Sequence, residues 1–193
     1  MTDPIAQFEQ WFREAATAEP DLPDAAALAT VSGEGRPSNR VVLVKRVSVE
    51  GFDFFTDYDS RKGDDLAANP AAALTYHWKS LGRSVRIEGD TERLPAEASD
   101  AYWYSRPRGS RISARISAQS QPTASREDLE ARAETEAERI GEAEVDRPSN
   151  WGGYRLVPVR IEFWTHREDR LHDRLEFTRS APNEAWQSRL LQP

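Results

Sequence analysis

The chemistry this sequence offers is carried by cations at fixed places. Arg40-Val41-Val42-Leu43-Val44-Lys45 is an apolar, largely β-branched run closed at each end by a cation. Such a run reads as a buried strand. Phe54-Phe55-Thr56 follows, and then Ser60-Arg61-Lys62 on a Ser-led turn. Strands that fix the backbone and present guanidinium, ammonium and hydroxyl groups at their ends suit a phosphate. Cations at strand ends are also commonly solvated or paired with surface carboxylates, so this stretch alone leaves both uses open.

Two further clusters have the same character. No acidic residue occurs from Ala101 to Arg126, a window that holds Arg106, Arg108, Arg111, Arg115 and Arg126 and is rich in Ser. It is either a local anion-binding surface or a helix that pairs with the acidic segment after it. Arg170-Leu171-His172-Asp173-Arg174 places two guanidiniums, an imidazole and a carboxylate in five residues. Read as a strand, it puts Arg170, His172 and Arg174 on one face, where they repel unless an anion sits among them. A ladder of pairs with Glu162 or Glu176 is the alternative, and the site reading is the one adopted.

Other templates are absent. His77, His166 and His172 lack metal-ligand spacing, so no metal is expected. There is no Gly-x-Ser-x-Gly elbow and no Gly-x-x-x-x-Gly-Lys loop. Gly33-Glu34-Gly35 has no helix after it and is not a dinucleotide fingerprint. With no cysteine there is neither disulfide nor thiolate chemistry. The 193 residues carry 33 acidic against 26 Lys and Arg, a net charge of −7, which argues against a nucleic-acid partner. The N-terminus has neither the basic nor the apolar segment of a signal peptide, and no apolar run approaches the ~20 residues of a membrane span. A soluble cytoplasmic protein is expected.

The elements that must position these residues are short. Asp3-Pro4 starts a helix of about residues 4–17, with Ile5, Phe8, Trp11 and Phe12 on one face. Strands are expected at Ala27–Val31, at 40–45, at Phe52–Thr56, at Ala72–Trp78 and over Val85–Leu94 with a kink at Gly89. A short helix follows Lys62. Residues 95–141 read as a helical insert: Pro95–Tyr104, Pro107–Ala118 and an acidic helix capped by Ser125. Tyr154–Trp164, Leu171–Thr178 and Ala185–Leu191 return to strand character. About five strands with hairpin-like connections before residue 95 point to an antiparallel barrel or sandwich in one domain, 1–193.

At this level of detail the chain resembles the pyridoxine/pyridoxamine 5′-phosphate oxidase family. The resemblance runs from Asp3-Pro4 to Leu190-Leu191-Gln192-Pro193. It is carried by the motifs at 40–45, 60–62 and 170–174, by Tyr104-Ser105-Arg106-Pro107-Arg108-Gly109-Ser110, by Gln119-Ser120, by Trp151-Gly152-Gly153 and by Glu162-Phe163-Trp164. It implies a mainly β fold with peripheral helices, an FMN-binding split β-barrel that forms a homodimer with FMN at the subunit interface. The implied FMN contacts are Arg40, Val41, Val42, Leu43, Val44, Lys45, Phe55 and Thr56, with Arg61 and Lys62 on the phosphate. Gln119, Ser120, Trp164 and Arg174 complete that site, some from the partner subunit. Ser84 stands where many members have a Gln against the flavin. The implied substrate-phosphate contacts are Lys45, Tyr102, Arg106 and Ser110. Arg170, Leu171 and His172 would lie at the pyridine ring, with Arg170 and His172 catalytic. Many members carry a segment before the first helix that closes over the substrate, whereas this sequence begins at that helix.

The activity this implies is oxidation of pyridoxamine or pyridoxine 5′-phosphate to pyridoxal 5′-phosphate, in vitamin B6 salvage. Molecular oxygen would be the acceptor and hydrogen peroxide the product, with FMN doing the redox chemistry. Related flavin oxidases of phenazine precursors share the Arg-Leu-His ending but tend to lose Lys45 and the Tyr/Arg/Ser clamp. A non-catalytic flavin- or haem-binding split barrel is the remaining alternative.

Overall fold

The computed structural model describes residues 3–193. Helix α1 (Pro4–Ala18) begins where an Asp-Pro pair requires: the Asp3 carboxylate accepts from the Ile5 N–H at 2.9 Å, and Pro4 occupies the first turn. Its buried face carries Ile5 and Phe8. The Phe8 ring meets Phe52 and Tyr76 edge-on, each at 5.0 Å.

The sheet runs β3-β2-β1-β4-β5-β6-β7-β8, and β3 also pairs with β6, so the first six strands close into a barrel. The strands are β1 (Ala25–Val31), β2 (Pro37–Ser48), β3 (Gly51–Asp57), β4 (Ala71–Trp78), β5 (Arg83–Arg93), β6 (Trp151–Thr165), β7 (Asp173–Thr178) and β8 (Gln187–Leu190). All pairings are antiparallel. The core is read from alternation: Phe52 and Phe54, Leu74, Tyr76 and Trp78, Val85 and Ile87, and Ile161 and Phe163 point inward at period two.

The barrel splits along β6. Its first half, Trp151–Leu156, pairs with β3, and its second half, Arg160–Thr165, pairs with β7. The changeover falls at Pro158, which has no N–H to give a ladder, opposite Gly89. The β5 register shifts there, between Glu88 and Gly89, and a Cβ on Gly89 would lie 2.0 Å from the Val157 carbonyl oxygen. The expected kink at Gly89 is this bulge, and β5 runs through it as one strand.

Helix α2 (Arg61–Ala68) leaves β3 on a turn capped by the fully buried Ser60. Three helices form the insert between β5 and β6: α3 (Ala96–Ser105), α4 (Arg108–Ile116) and α5 (Arg126–Ile140). They build a second core of Trp103, Ile112, Val145 and Trp151 on the outside of the barrel. Among the described residues no helix is long and apolar enough to cross a membrane.

Two expectations are corrected. The run 40–45 is not a buried strand: only Val44 is buried, and Val41 is 68% exposed. One face of β2 enters the barrel and the other lines an open cleft. Residues 170–172 are not strand either. Glu168–Arg170 form a single tight turn in which Asp169 and Arg170 both take left-handed conformations, φ 54° and 61°, and β7 starts only at Asp173. A hairpin must reverse direction between β6 and β7, and this turn does so.

Gly63 gives a direct test of how α2 is seated. A Cβ there would lie 1.9 Å from the backbone oxygen of Tyr58, an atom that cannot step aside. Gly63→Ala is expected to cost about 2–4 kcal/mol of stability, read as a lower urea midpoint. An unchanged midpoint would mean that the turn before α2 is not seated as described.

Candidate functional site

The open face of β2, the end of β3 and the small-residue face of α4 enclose a cleft of about 750 Å³. Val41, Val42, Leu43 and Lys45 line it from β2, and Phe55 and Thr56 from β3. Lys62 reaches in from α2, Gln119 from the segment after α4, and Tyr102, Arg106 and Ser110 from the insert. Eleven residues singled out in the sequence thus share one cavity, although they come from four separate segments.

Lys62 is its most informative member. The side chain is buried, and Nζ donates to Gln119 Oε1 at 2.7 Å and to Thr56 Oγ1 and Ser60 Oγ, each at 3.0 Å. All three acceptors are neutral, and no carboxylate among the described residues pairs with this ammonium. Burial, with Arg40 nearby, lowers its pKa to about 8, against a pull upward from Asp57. A buried cation at the N-terminus of a helix, with hydrogen bonds to neutral oxygens only, can take an anion without displacing a carboxylate. The donor set fits a phosphate monoester, such as the one FMN carries.

Arg106 is the second cation of the cleft that makes no ion pair among the described residues. Its guanidinium carbon lies 4.8 Å from the Trp151 ring and 5.3 Å from the Trp103 ring, and burial lowers its pKa. Its Nη1 is buried without a hydrogen-bond partner. Lys45 is different: its Nζ sits 2.5 Å from Asp24 Oδ2, so a ligand must compete with that carboxylate.

Several expected contacts lie elsewhere. Arg40 faces away from the cleft, donating to Thr30 Oγ1 at 2.6 Å and lying 3.5 Å from Asp65. Val44 is inside the barrel. Arg61 is exposed at the start of α2, where its backbone N–H donates to Ser120 Oγ at 3.2 Å. Ser84, Trp164 and Arg174 line a second recess together with Pro193. Ser84 Oγ donates to the Tyr76 carbonyl at 2.8 Å. Arg174 is spent on Glu162, with Nε and Nη2 at 2.8 and 3.0 Å from its two carboxylate oxygens. Burial opposes the charge of Glu162, but Arg174, Arg86 and Arg160 outweigh it and hold the carboxyl below its usual range. For Arg174, therefore, the paired alternative is what the structure holds.

Arg170 and His172 lie in a third recess, which shares Trp164 with the second. The His172 ring is 4.7 Å from Trp164, and its Nδ1 accepts from the Arg167 N–H at 3.1 Å. A neutral His172 therefore carries its proton on Nε2. Arg170 makes no side-chain hydrogen bond or ion pair among the described residues, and Leu171 is 71% exposed. Within one chain, eleven sequence-picked residues between Val41 and Gln119 thus line the cleft, Arg40, Val44, Arg61, Ser84 and Ser120 do not, and Trp164, Arg170, His172 and Arg174 lie on two other recesses that share Trp164.

Sequence reasoning singled out the Ser-rich window and Ser110 but missed how α4 divides its faces. Gly109, Ser110, Ser113, Ala114 and Ser117 line the cleft, while Arg108, Arg111 and Arg115 turn to the acidic segment behind. Spacing of three and four was present in the Ser positions and could have revealed it. Trp151 and Asp57 also line the cleft, and neither carried a signal of its own in sequence beyond the Trp-Gly-Gly motif.

Comparison with known proteins places this geometry. Residues 12–140 match the family described as Pyridoxamine 5'-phosphate oxidase, and residues 151–193 match the Pyridoxine 5'-phosphate oxidase C-terminal dimerisation region. A protein of Burkholderia cenocepacia named pyridoxine/pyridoxamine 5'-phosphate oxidase is 55% identical over 179 residues, 93% of this chain and 83% of that one. One of the same name from Salinibacter ruber is 51% identical over 192 residues, 99% of this chain and 89% of that one. Among solved structures, PhzG from Burkholderia lata, in complex with tetrahydrophenazine-1-carboxylic acid, is 33% identical. It superposes with a TM-score of 0.92, covering 100% of this chain and 94% of that one.

Proposed function

Because the chain belongs to the pyridoxamine 5′-phosphate oxidase family, we propose that it is an FMN-dependent oxidase of pyridoxamine and pyridoxine 5′-phosphate. The product is pyridoxal 5′-phosphate, with oxygen as acceptor and hydrogen peroxide released; from the amine, the imine first formed takes up water and releases ammonia. The observation that carries this reading is the convergence of Lys45, Tyr102, Arg106 and Ser110 on the cleft that also holds Thr56, Lys62 and Gln119. Those are two sets of phosphate-binding groups in one cavity, one for a phosphorylated cofactor and one for a phosphorylated substrate.

Bound FMN would accept two electrons from the substrate C4′ and pass them to oxygen. The protein's part is placement. Lys62 and the α2 N-terminus hold the cofactor phosphate, and Val41 and Leu43 offer an apolar edge to its ring system. Lys45, Arg106 and Ser110 restrain the substrate phosphate, and fixing a reacting centre in this way contributes several kcal/mol, on the order of the intramolecular advantage. His172, with its proton on Nε2, and Arg170, with an uncommitted guanidinium, would orient the pyridine ring and the C4′ amine or alcohol, which gives up a proton to solvent as hydride leaves C4′.

Those two residues lie apart from the cleft within one chain. The reading therefore includes a homodimer whose second copy brings Arg170, His172 and Trp164 over the first copy's cleft. All three fall inside the region described as dimerising.

A second reading, oxidation of a phenazine-type precursor, has the likeness to PhzG behind it. The higher identity to the vitamin oxidases and the presence of the full clamp favour the first. The deciding experiment is an aerobic assay of the FMN-loaded protein on both vitamin phosphates, following pyridoxal 5′-phosphate and peroxide together. Equal amounts of the two products are expected. Turnover of a tetrahydrophenazine carboxylate with none of either vitamin phosphate would install the second reading instead.

A further inference from the structure

We infer that Trp151, backed by Trp103, is a positioning residue that holds Arg106 as an uncompensated cation for a phosphate monoester. This rests on the reading that Arg106 meets the substrate phosphate.

Five arginines occupy the acid-free window, and four are spent. Arg108 donates to the carbonyls of Ala143 and Gly141, at 2.7 and 2.5 Å. Arg111 pairs with Glu144, Arg115 with Glu136 at 2.7 Å, and Arg126 with Glu130 at 2.7 Å. Among the described residues Arg106 alone of the five makes no ion pair and no side-chain hydrogen bond. What it has instead is ring faces: Trp151 at 4.8 Å and Trp103 at 5.3 Å, with Nη1 buried and unpartnered.

The difference matters for an anion. A guanidinium paired with a carboxylate must give up that partner to take a phosphate. A guanidinium held by indole quadrupoles keeps its place and its charge, and nothing has to be displaced. Lys45, paired with Asp24, is the contrasting case in the same cleft.

The rings are themselves fixed. Trp103 is fully buried and donates from Nε1 to the Val145 carbonyl at 2.7 Å. Its ring meets Trp151 at 4.8 Å and 66°. Trp151 lies nearly parallel to Phe55 (5.8 Å, 13°) and Tyr102 (6.2 Å, 12°). The Trp151 carbonyl accepts from Arg147 Nη1 at 2.6 Å. The two glycines that follow make room: a Cβ on Gly152 would meet Tyr58 Oη at 2.1 Å, and one on Gly153 would meet the Phe55 ring at 2.8 Å. The Trp-Gly-Gly motif thus builds the aromatic shelf on which Arg106 rests.

The test compares Trp151→Leu, which keeps an apolar side chain without a π face, with Trp151→Phe, which keeps a smaller one. Calorimetric titration of the FMN-loaded proteins with inorganic phosphate reads the site without any turnover. Trp151→Leu is expected to weaken phosphate about tenfold, and Trp151→Phe to recover most of the loss. In steady state with pyridoxamine 5′-phosphate, the loss should appear chiefly in KM, with a smaller change in kcat. A folded Trp151→Leu protein that binds phosphate like the wild type overturns the proposal. So does a Trp151→Phe protein as weak as Trp151→Leu, because bulk and not the ring face would then matter. A wild-type measurement covers variants that fail to fold. The Arg106 guanidinium protons, identified by their loss in Arg106→Lys, should be shifted upfield by the indole ring currents, and unshifted resonances would overturn the proposal. If phosphate binding behaves as stated but no vitamin phosphate is oxidised, the functional reading fails and the positioning role stands.

Discussion

Lys62→Met is expected to lose FMN, by at least about a hundredfold in affinity, while the folded protein without cofactor is at least as stable as the wild type at neutral pH. The two halves have one cause. The ammonium is buried, is held by Thr56, Ser60 and Gln119 alone, and its charge is answered only when an anion arrives. Removing it strands nothing. Thr56 Oγ1 still donates to Gln119 Oε1 at 2.9 Å, and Ser60 Oγ still donates to the Asp57 carbonyl at 2.6 Å. Replacing a desolvated charge by an apolar side chain of similar length is then close to neutral for stability and severe for binding.

The pH dependence separates this from a general structural defect. The Lys62 pKa falls from 10.5 to about 8 on folding, through burial first and Arg40 second. The folded state therefore holds that proton less tightly than the unfolded chain does. The penalty is fully present below about pH 8 and fades as pH rises from about 8 towards 10.5. Without cofactor, the wild type should gain stability relative to Lys62→Met across that window. FMN affinity of the wild type should fall across the same window, because the anion needs the charged form. Denaturant midpoints and FMN titrations at pH 7, 8.5 and 10 check both slopes. Parallel slopes for the two proteins would show that Lys62 is not the group responsible.

Arg106→Ala and Arg170→Ala are each expected to reduce turnover about a hundredfold or more, and an equimolar mixture of the two chains to recover about a quarter of wild-type activity. The quarter follows from symmetry. Random pairing makes about half of the dimers mixed, and in each mixed dimer one site receives both defects and the other neither. Recovery requires Arg106 and Arg170 to serve one site from different chains, which is what their separation on two recesses of one chain suggests. Co-refolded mixtures, assayed against the two variants alone, give the answer. A mixture no more active than the average of its parts would place both residues in a site within one chain.

What could be read in the sequence was local. The helix at Asp3-Pro4, the Ser125 cap, the kink at Gly89 and the three-helix insert each follow from residue types at short spacing, and each is present. The acid-free window and the cation-flanked run 40–45 pointed to the cleft for the same reason: excess charge of one sign is visible without a fold. The notion that 40–45 is buried failed because an apolar run does not say whether both faces of its strand are covered. The strand assignment at 170–172 failed because Asp169 and Arg170 have no composition that announces a left-handed turn.

For Arg174 and for the acid-free window the sequence offered counter-charges only as alternatives to a site and could not choose, and for Arg40 and Lys45 it offered none. Arg40 with Asp65, Lys45 with Asp24, Arg174 with Glu162 and Arg111 with Glu144 join residues that are from twelve to more than thirty positions apart. Whether a cation is free for a ligand depends on which carboxylate the fold brings beside it, and that is a property of strand register and helix packing. Residue types and spacing were enough to show a β-rich chain carrying cations suited to phosphate. Closure of the barrel and docking of the insert settle which charges find partners, and among the described residues they leave the buried Lys62 and the half-buried Arg106 facing the cleft without a carboxylate.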